Sequence, residues 1–183
     1  MGIKEMAEPG NGNFSQWSLR RAAAEMTKDR LHPLVLESVD EFRTMVGQEV
    51  AKSEWVSLTQ DRILAFAEAT GDRQWIHLDS ERAQRESPYG STIAHGFLTV
   101  SLLSEMFRSA VQIRGVRMTI NYGLNRVRFP AALPANSRIR ATFCVQSFKE
   151  VAGGSQVTLS AVVESENAAR PCCVAEWILR YHP

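Results

Sequence analysis

Residues 97–107 carry apolar side chains at 97, 98, 100, 102, 103, 106 and 107. On a helix those positions cover most of the circumference, so this helix should be buried rather than half exposed. The chain then changes character. Residues 118–129, 137–148, 156–164 and 172–181 are rich in β-branched and aromatic side chains with partial alternation, and turns rich in Gly, Pro, Asn and Ala separate them. A buried helix followed by a four-strand meander is best satisfied by an antiparallel sheet curled around that helix, an α+β arrangement.

The earlier part of the chain supplies the remaining elements. Residues 1–35 read as an N-terminal extension, loose at first and helix-prone from Leu19 to Arg30, with residues 36–183 forming the domain. A short helix is expected over 39–45, stopping near Gly47, and a first strand over 49–57. Thr59 suits an N-cap, with Asp61 in the first turn and Ile63, Leu64, Phe66 and Ala67 as an apolar stripe; Gly71 should stop this helix. Asp79 can cap another short helix running to about Glu86.

Bulk properties narrow the function classes. At 183 residues, 44% hydrophobic and 22% charged, the chain suits one ordinary domain with a proper core. A net charge of +1 argues against a nucleic acid or an anionic membrane as the main partner. There is no apolar run long enough to span a bilayer and no secretory signal among Lys4, Glu5 and Glu8, so the cytoplasm is the expected location. Cys144, Cys172 and Cys173 lack metal-ligand spacing and fit a reducing compartment; they read as small hydrophobes in strands, with a vicinal redox pair at 172–173 as the alternative.

The chemistry-bearing residues lie between 70 and 101. Asp72 and His77 are five residues apart, which on a helix is about 140° around the axis and on a strand means opposite faces. They can converge only if the backbone leaves regular structure between them, and Gly71 supplies that break. A carboxylate and an imidazole brought together can hold one water, one accepting a proton while the other donates one. Taken alone, an acid after a helix-ending glycine is usually just solvated and a lone histidine usually structural. Gly96 strengthens the functional reading. It stands where the apolar helix begins, where backbone N–H groups lack intrahelical partners and can polarise a thioester carbonyl. Its lack of a side chain permits close approach of a ligand or, alternatively, of the sheet. Ser101 either supports that site or returns its proton to an upstream carbonyl. A metal held by His77, Asp79 and His95 matches no strong ligand spacing, so no metal is expected.

These residues resemble the MaoC-like, or hydratase 2, family of hot-dog-fold proteins. That family's signature looks like Phe-Ala-x-x-Thr-Gly-Asp-x-Asn-Pro-x-His, followed by Ile-Ala-His-Gly-Met-Leu before the central helix. The matching residues are 66–72, Ile76-His77 and 93–98, and Arg126-Val127-Arg128-Phe129-Pro130 is similar to a later strand. The resemblance implies a hot-dog fold and reversible hydration of a trans-2-enoyl-CoA to an (R)-3-hydroxyacyl-CoA. Asp72 and His77 would be the catalytic pair, the Gly96 N–H would hold the thioester oxygen, and Ser101 would sit near that site. It also implies a homodimer and no cofactor beyond the coenzyme A carried by the substrate. Its phosphates could meet Arg126 or Arg128, although structural ion pairing suits those residues equally.

Gln74-Trp75 replaces the usual Asn-Pro, a form similar to the branch named for the nodulation protein NodN. Trp75, Tyr89 and Phe97 are the expected walls of an acyl pocket. The same site run backwards would dehydrate a hydroxyacyl thioester. A thioesterase and a non-catalytic acyl-thioester binder are the alternatives; the first would release free thiol, the second would bind without turnover.

Overall fold

The computed structural model describes residues 33–166 and 168–183. The helix-prone part of the expected N-terminal extension, up to residue 32, lies outside the described residues. The first elements are β1 (Leu34–Leu36), a 3-10 helix (Val39–Met45), β2 (Glu49–Lys52) and β3 (Val56–Leu58). Helices α1 (Gln60–Thr70), α2 (Trp75–Leu78), α3 (Ser80–Glu86), α4 (Gly96–Ser101) and α5 (Leu103–Ala110) follow. The chain ends with β4 (Val111–Ile113), β5 (Met118–Arg128), β6 (Ser137–Val151), β7 (Gly154–Ser165) and β8 (Cys173–His182).

Caps explain where the helices begin and end. Thr59 Oγ1 accepts the Arg62 N–H at 3.3 Å, and Gly71 adopts φ 76°, its N–H donating to the Ala67 carbonyl at 2.8 Å. Asp79 Oδ1 accepts the Arg82 N–H at 2.9 Å and opens α3. These are the stop and start signals read in the sequence. The short helix at Val39–Met45 is also present, as a 3-10 helix opened by a reciprocal Ser38–Glu41 capping box.

The main sheet has the order β2-β6-β7-β8-β5, with β3 also on β6, and every pairing in it is antiparallel. Alternation, strict along β8 and broken at Thr142 in β6, fixes its inner face: Ile139, Ala141, Phe143 and Val145 of β6 and Cys173, Ala175, Trp177, Leu179 and Tyr181 of β8 are all buried. Met106 and Phe107 of α5 pack into that face. The Phe107 ring meets Phe143 at 5.0 Å and Trp177 at 5.8 Å, both edge-on. The fold is the expected α+β hot-dog, an antiparallel sheet wrapped around a central helix.

Two expectations are corrected, and two strands were not foreseen. Segments α4 and α5 form one run of helix through Leu102, which is also αR and donates to Leu98, but this helix is half exposed. Phe97, Ser101, Glu105 and Arg108 make an open stripe along it, and Phe97 is 70% exposed. Counting apolar positions overstated the burial, because the side carrying Phe97 faces away from the sheet's inner surface. The strand expected over 49–57 is two strands, since Ser53 engages Ala141 through both its N–H and its hydroxyl oxygen and interrupts the ladder. Strands β1 and β4 had no sequence signal; they pair in parallel over three residues, Leu34 with Val111 through Leu36 with Ile113.

Strand β5 is exposed along nearly its whole length and, among the described residues, pairs only with β8. Met118, Ile120, Tyr122 and Leu124 are among its exposed large side chains. Among the described residues, no helix is long and apolar enough to cross a membrane.

Candidate active site

Gly71 ends α1 in the left-handed region, and residues 71–74 then run without regular structure into the single turn of α2. This is the break the sequence called for, and it brings Asp72 and His77 together. One ligand-capable atom from each of Asp72, His77 and His95 lies within 4.8 Å of the others. Asp72 is exposed, whereas His77 and His95 are buried, at 7% and 3% exposure.

Hydrogen bonds fix the imidazoles. His77 Nδ1 lies 2.7 Å from the Ile93 carbonyl oxygen. A carbonyl only accepts, so Nδ1 carries the hydrogen and Nε2 is left with the lone pair. Burial pushes the His77 pKa below its ordinary 6.5; the Ile93 carbonyl opposes this, the stacked His95 adds to it and Asp72 opposes it. The neutral, proton-accepting form is therefore favoured. His95 Nε2 lies 3.0 Å from the Asp72 carbonyl oxygen and by the same reasoning donates to it.

Gln60, which sequence reasoning missed, ties the site together from behind. Its Nε2 donates to the His77 carbonyl at 2.8 Å, and its Oε1 accepts from Thr92 Oγ1 at 2.5 Å. Nothing in its sequence position distinguishes it from an ordinary first-turn residue of α1.

A cavity of about 250 Å³ is lined by both His77 and Gly96, while Asp72 reaches it only through its neighbour His77 and is not one of its walls. Tyr89, Ile93, Thr99, Phe129, Leu133 and Cys172 contribute to its walls. Thr99 stands three residues beyond Gly96 on the same helix face, a spacing from which it could have been found. At Gly96 a Cβ would come within 2.7–2.9 Å of the Phe129 ring, so the glycine serves close ring packing as well as ligand approach.

The other sequence candidates sit elsewhere. Ser101 is exposed and donates to the Leu98 carbonyl at 2.7 Å, the back-bonding alternative. Trp75 begins α2 with the Arg82 guanidinium 4.3 Å over its ring. Phe97 meets Phe129 edge-on at 6.4 Å. None of the three lines the cavity. Of the cysteines, Cys172 and Cys173 are free, buried thiols that burial pushes up to about 11 and about 12; Cys173 opens β8, while Cys172 lies just before the strand.

A metal ion on the Asp72, His77 and His95 group would need lone pairs that converge at about 2.1 Å. The two imidazoles are instead stacked, centroids 3.7 Å apart and planes 27° apart, so their in-plane lone pairs run side by side. Asp79, the carboxylate considered from the sequence, is engaged as the cap of α3.

Comparison with known proteins matches this architecture. The profile of the MaoC-like domain fits residues 41–167. The chain is 48% identical over 146 residues to 3-hydroxyacyl-thioester dehydratase Z of Mycobacterium tuberculosis, covering 79% of this chain and 96% of that protein. It is 47% identical over 151 residues to nodulation protein N of Rhizobium leguminosarum, covering 81% of this chain and 91% of that one. The unliganded R-hydratase of Pseudomonas aeruginosa shares the fold with a TM-score of 0.60 at 23% identity, over 75% of this chain and 81% of its own. With the Thr-Gly-Asp turn, the buried histidine and the glycine-led helix in place, the chain belongs to the MaoC-like domain family.

Proposed function

We propose that this protein is an acyl-thioester hydratase/dehydratase that adds water reversibly to a trans-2-enoyl-CoA to give an (R)-3-hydroxyacyl-CoA. The observation that carries this reading is the placement of Asp72 and His77 within 4.8 Å of each other beside a cavity that His77 shares with Gly96. The names of the dehydratase and R-hydratase relatives point the same way.

In the forward direction a water rests between the Asp72 carboxylate and His77 Nε2. Its oxygen bonds the β-carbon while the basic Nε2 takes its proton. The double-bond electrons move onto the thioester, and the developing enolate oxygen sits against the Gly96 N–H at the positive end of the helix. The α-carbon then takes a proton from the Asp72–His77 pair, so the net change is the addition of one water. Dehydration retraces these steps. The chemistry is redox-neutral and asks for no cofactor beyond the coenzyme A of the substrate; Arg126 and Arg128, both exposed on β5, are the proposed partners of its phosphates.

A homodimer through β5 belongs to the same proposal. An exposed edge strand of 11 residues with large apolar side chains is a ready template for a second copy.

The test is loss of the enoyl-thioester absorbance with crotonyl-CoA and longer trans-2-enoyl-CoAs, together with a thiol assay and chiral analysis of the product. The proposal expects rapid loss, an (R) product and no thiol. Thiol release would instead indicate a thioesterase, and binding without turnover a non-catalytic acyl-thioester protein.

A further inference from the structure

We propose that His95 is a positioning residue for the acid–base pair, acting through the backbone of Asp72; this rests on the hydration reading above for its kinetic consequence, though not for its geometry. His95 immediately precedes Gly96 and occupies the N-cap position of α4, yet its side chain makes no capping hydrogen bond. Its Nε2 instead reaches back 23 residues to the Asp72 carbonyl at 3.0 Å. Its ring is stacked on His77 at 3.7 Å and lies 5.1 Å from the Phe66 ring.

The other ring nitrogen finds no partner among the described residues. His95 Nδ1 is buried without a hydrogen-bond partner, one of two such side-chain atoms among the described residues. An apolar side chain would fill the space without leaving a polar atom unpaired, an arrangement that generally destabilises a fold. What the imidazole supplies and an apolar side chain cannot is the donor to Asp72. Residues 71–74 have no regular structure of their own, and within them the Asp72 N–H donates to Thr70 Oγ1 at 3.4 Å and the Gln74 N–H to Asp72 Oδ1 at 3.5 Å. Those bonds are local to the turn, whereas the His95 bond ties the Asp72 backbone to the segment stacked on His77.

The same contact links the two halves of the site. Residue 95 is joined directly to Gly96, so the segment that presents the helix N–H also holds the backbone carbonyl of Asp72. Movement of one is transmitted to the other, and the oxyanion donor and the acid–base pair keep a common frame. Misplacement of a reacting group by about 1 Å can cost on the order of 10²-fold in rate.

The experiment compares His95→Leu, which removes the donor, with His95→Gln, whose Nε2 can occupy the place of the imidazole Nε2. Each is measured for kcat, KM and unfolding midpoint. In parallel, 15N spectra of the parent's imidazoles are recorded without substrate. The proposal expects His95 with its hydrogen on Nε2 and His77 with its hydrogen on Nδ1. It expects kcat of His95→Leu to fall by about 10- to 100-fold, with KM and unfolding midpoint nearly unchanged. His95→Gln should recover most of that loss. A merely structural role would instead move the unfolding midpoint and leave the kcat of the folded fraction near the parent's. A His95 hydrogen on Nδ1 alone, or full kcat in folded His95→Leu, overturns the proposal. If the parent itself shows no hydration, the functional reading fails on its own, and the spectra still decide the brace.

Discussion

His77 and His95 are cross-braced: stacked ring on ring, each donates to a backbone carbonyl in the segment that carries the other. His77 Nδ1–H reaches the Ile93 carbonyl two residues before His95, and His95 Nε2–H reaches the Asp72 carbonyl five residues before His77. One bond selects the tautomer that leaves His77 Nε2 basic, and the other anchors the irregular stretch bearing Asp72. Two short motifs separated by α3 and a loop are thereby joined into one site.

The protonation of His77 gives a pH signature. Burial holds its folded pKa below 6.5, so the unfolded chain binds this proton more readily than the native protein. Its contribution to stability is fully present above pH 6.5 and is lost as the pH falls through the lowered native value. The neutral base persists over the same range. The acid limb of kcat/KM should therefore lie below pH 6.5, as should the His77 ring titration followed by NMR. A limb centred above 6.5 would contradict the assignment of His77 as the buried base.

Gly96 and Phe129 should behave as a coupled pair. An alanine at 96 keeps the backbone N–H, but its Cβ would intrude to 2.7 Å from the Phe129 ring. Gly96→Ala is expected to lower kcat/KM by about tenfold through displacement of that cavity wall. Adding Phe129→Ala should recover part of the loss, giving a non-additive double-mutant cycle. Additive losses would place the effect of Gly96→Ala somewhere other than the ring.

The core makes a stability prediction separable from chemistry. Phe107 is almost fully buried and meets both Phe143 and Trp177 edge-on. Truncation to alanine should cost about 3–5 kcal/mol in denaturant unfolding. A loss below about 1 kcal/mol would show that the helix is not seated in the sheet as described.

Strand β5 predicts an assembly. Ile120→Glu combined with Leu124→Glu should convert a dimer to a monomer in sedimentation, because both side chains are exposed on the edge strand. A monomeric parent would rule out the proposed interface.

Much of this architecture could be read from the sequence where the signals are local. Thr59, Gly71 and Asp79 announced the helix ends through side-chain and backbone chemistry that needs only near neighbours. The four long strands announced themselves by alternation. What escaped depends on distant partners. Strand β1 is three residues long and finds β4 only in the folded state. The single turn of α2 is too short to show a period. Phe97 looked like core because an apolar side chain on a helix carries no mark of which side the sheet will cover. At the site, Asp72, His77 and Gly96 stood out by type and spacing. Gln60 and the His95 brace act on backbone carbonyls, which no side-chain pattern reveals.

The most direct test of the account is turnover of crotonyl-CoA and longer enoyl-CoAs by the parent protein beside Asp72→Asn and His77→Ala, with folding of each checked by circular dichroism. The account predicts rapid hydration by the parent and a loss of about 10²–10⁴-fold in each folded variant, the range expected when an acid–base group is removed. Parent-level turnover in folded Asp72→Asn or His77→Ala would contradict the proposed mechanism. No turnover by the parent at any chain length would contradict the proposed function itself.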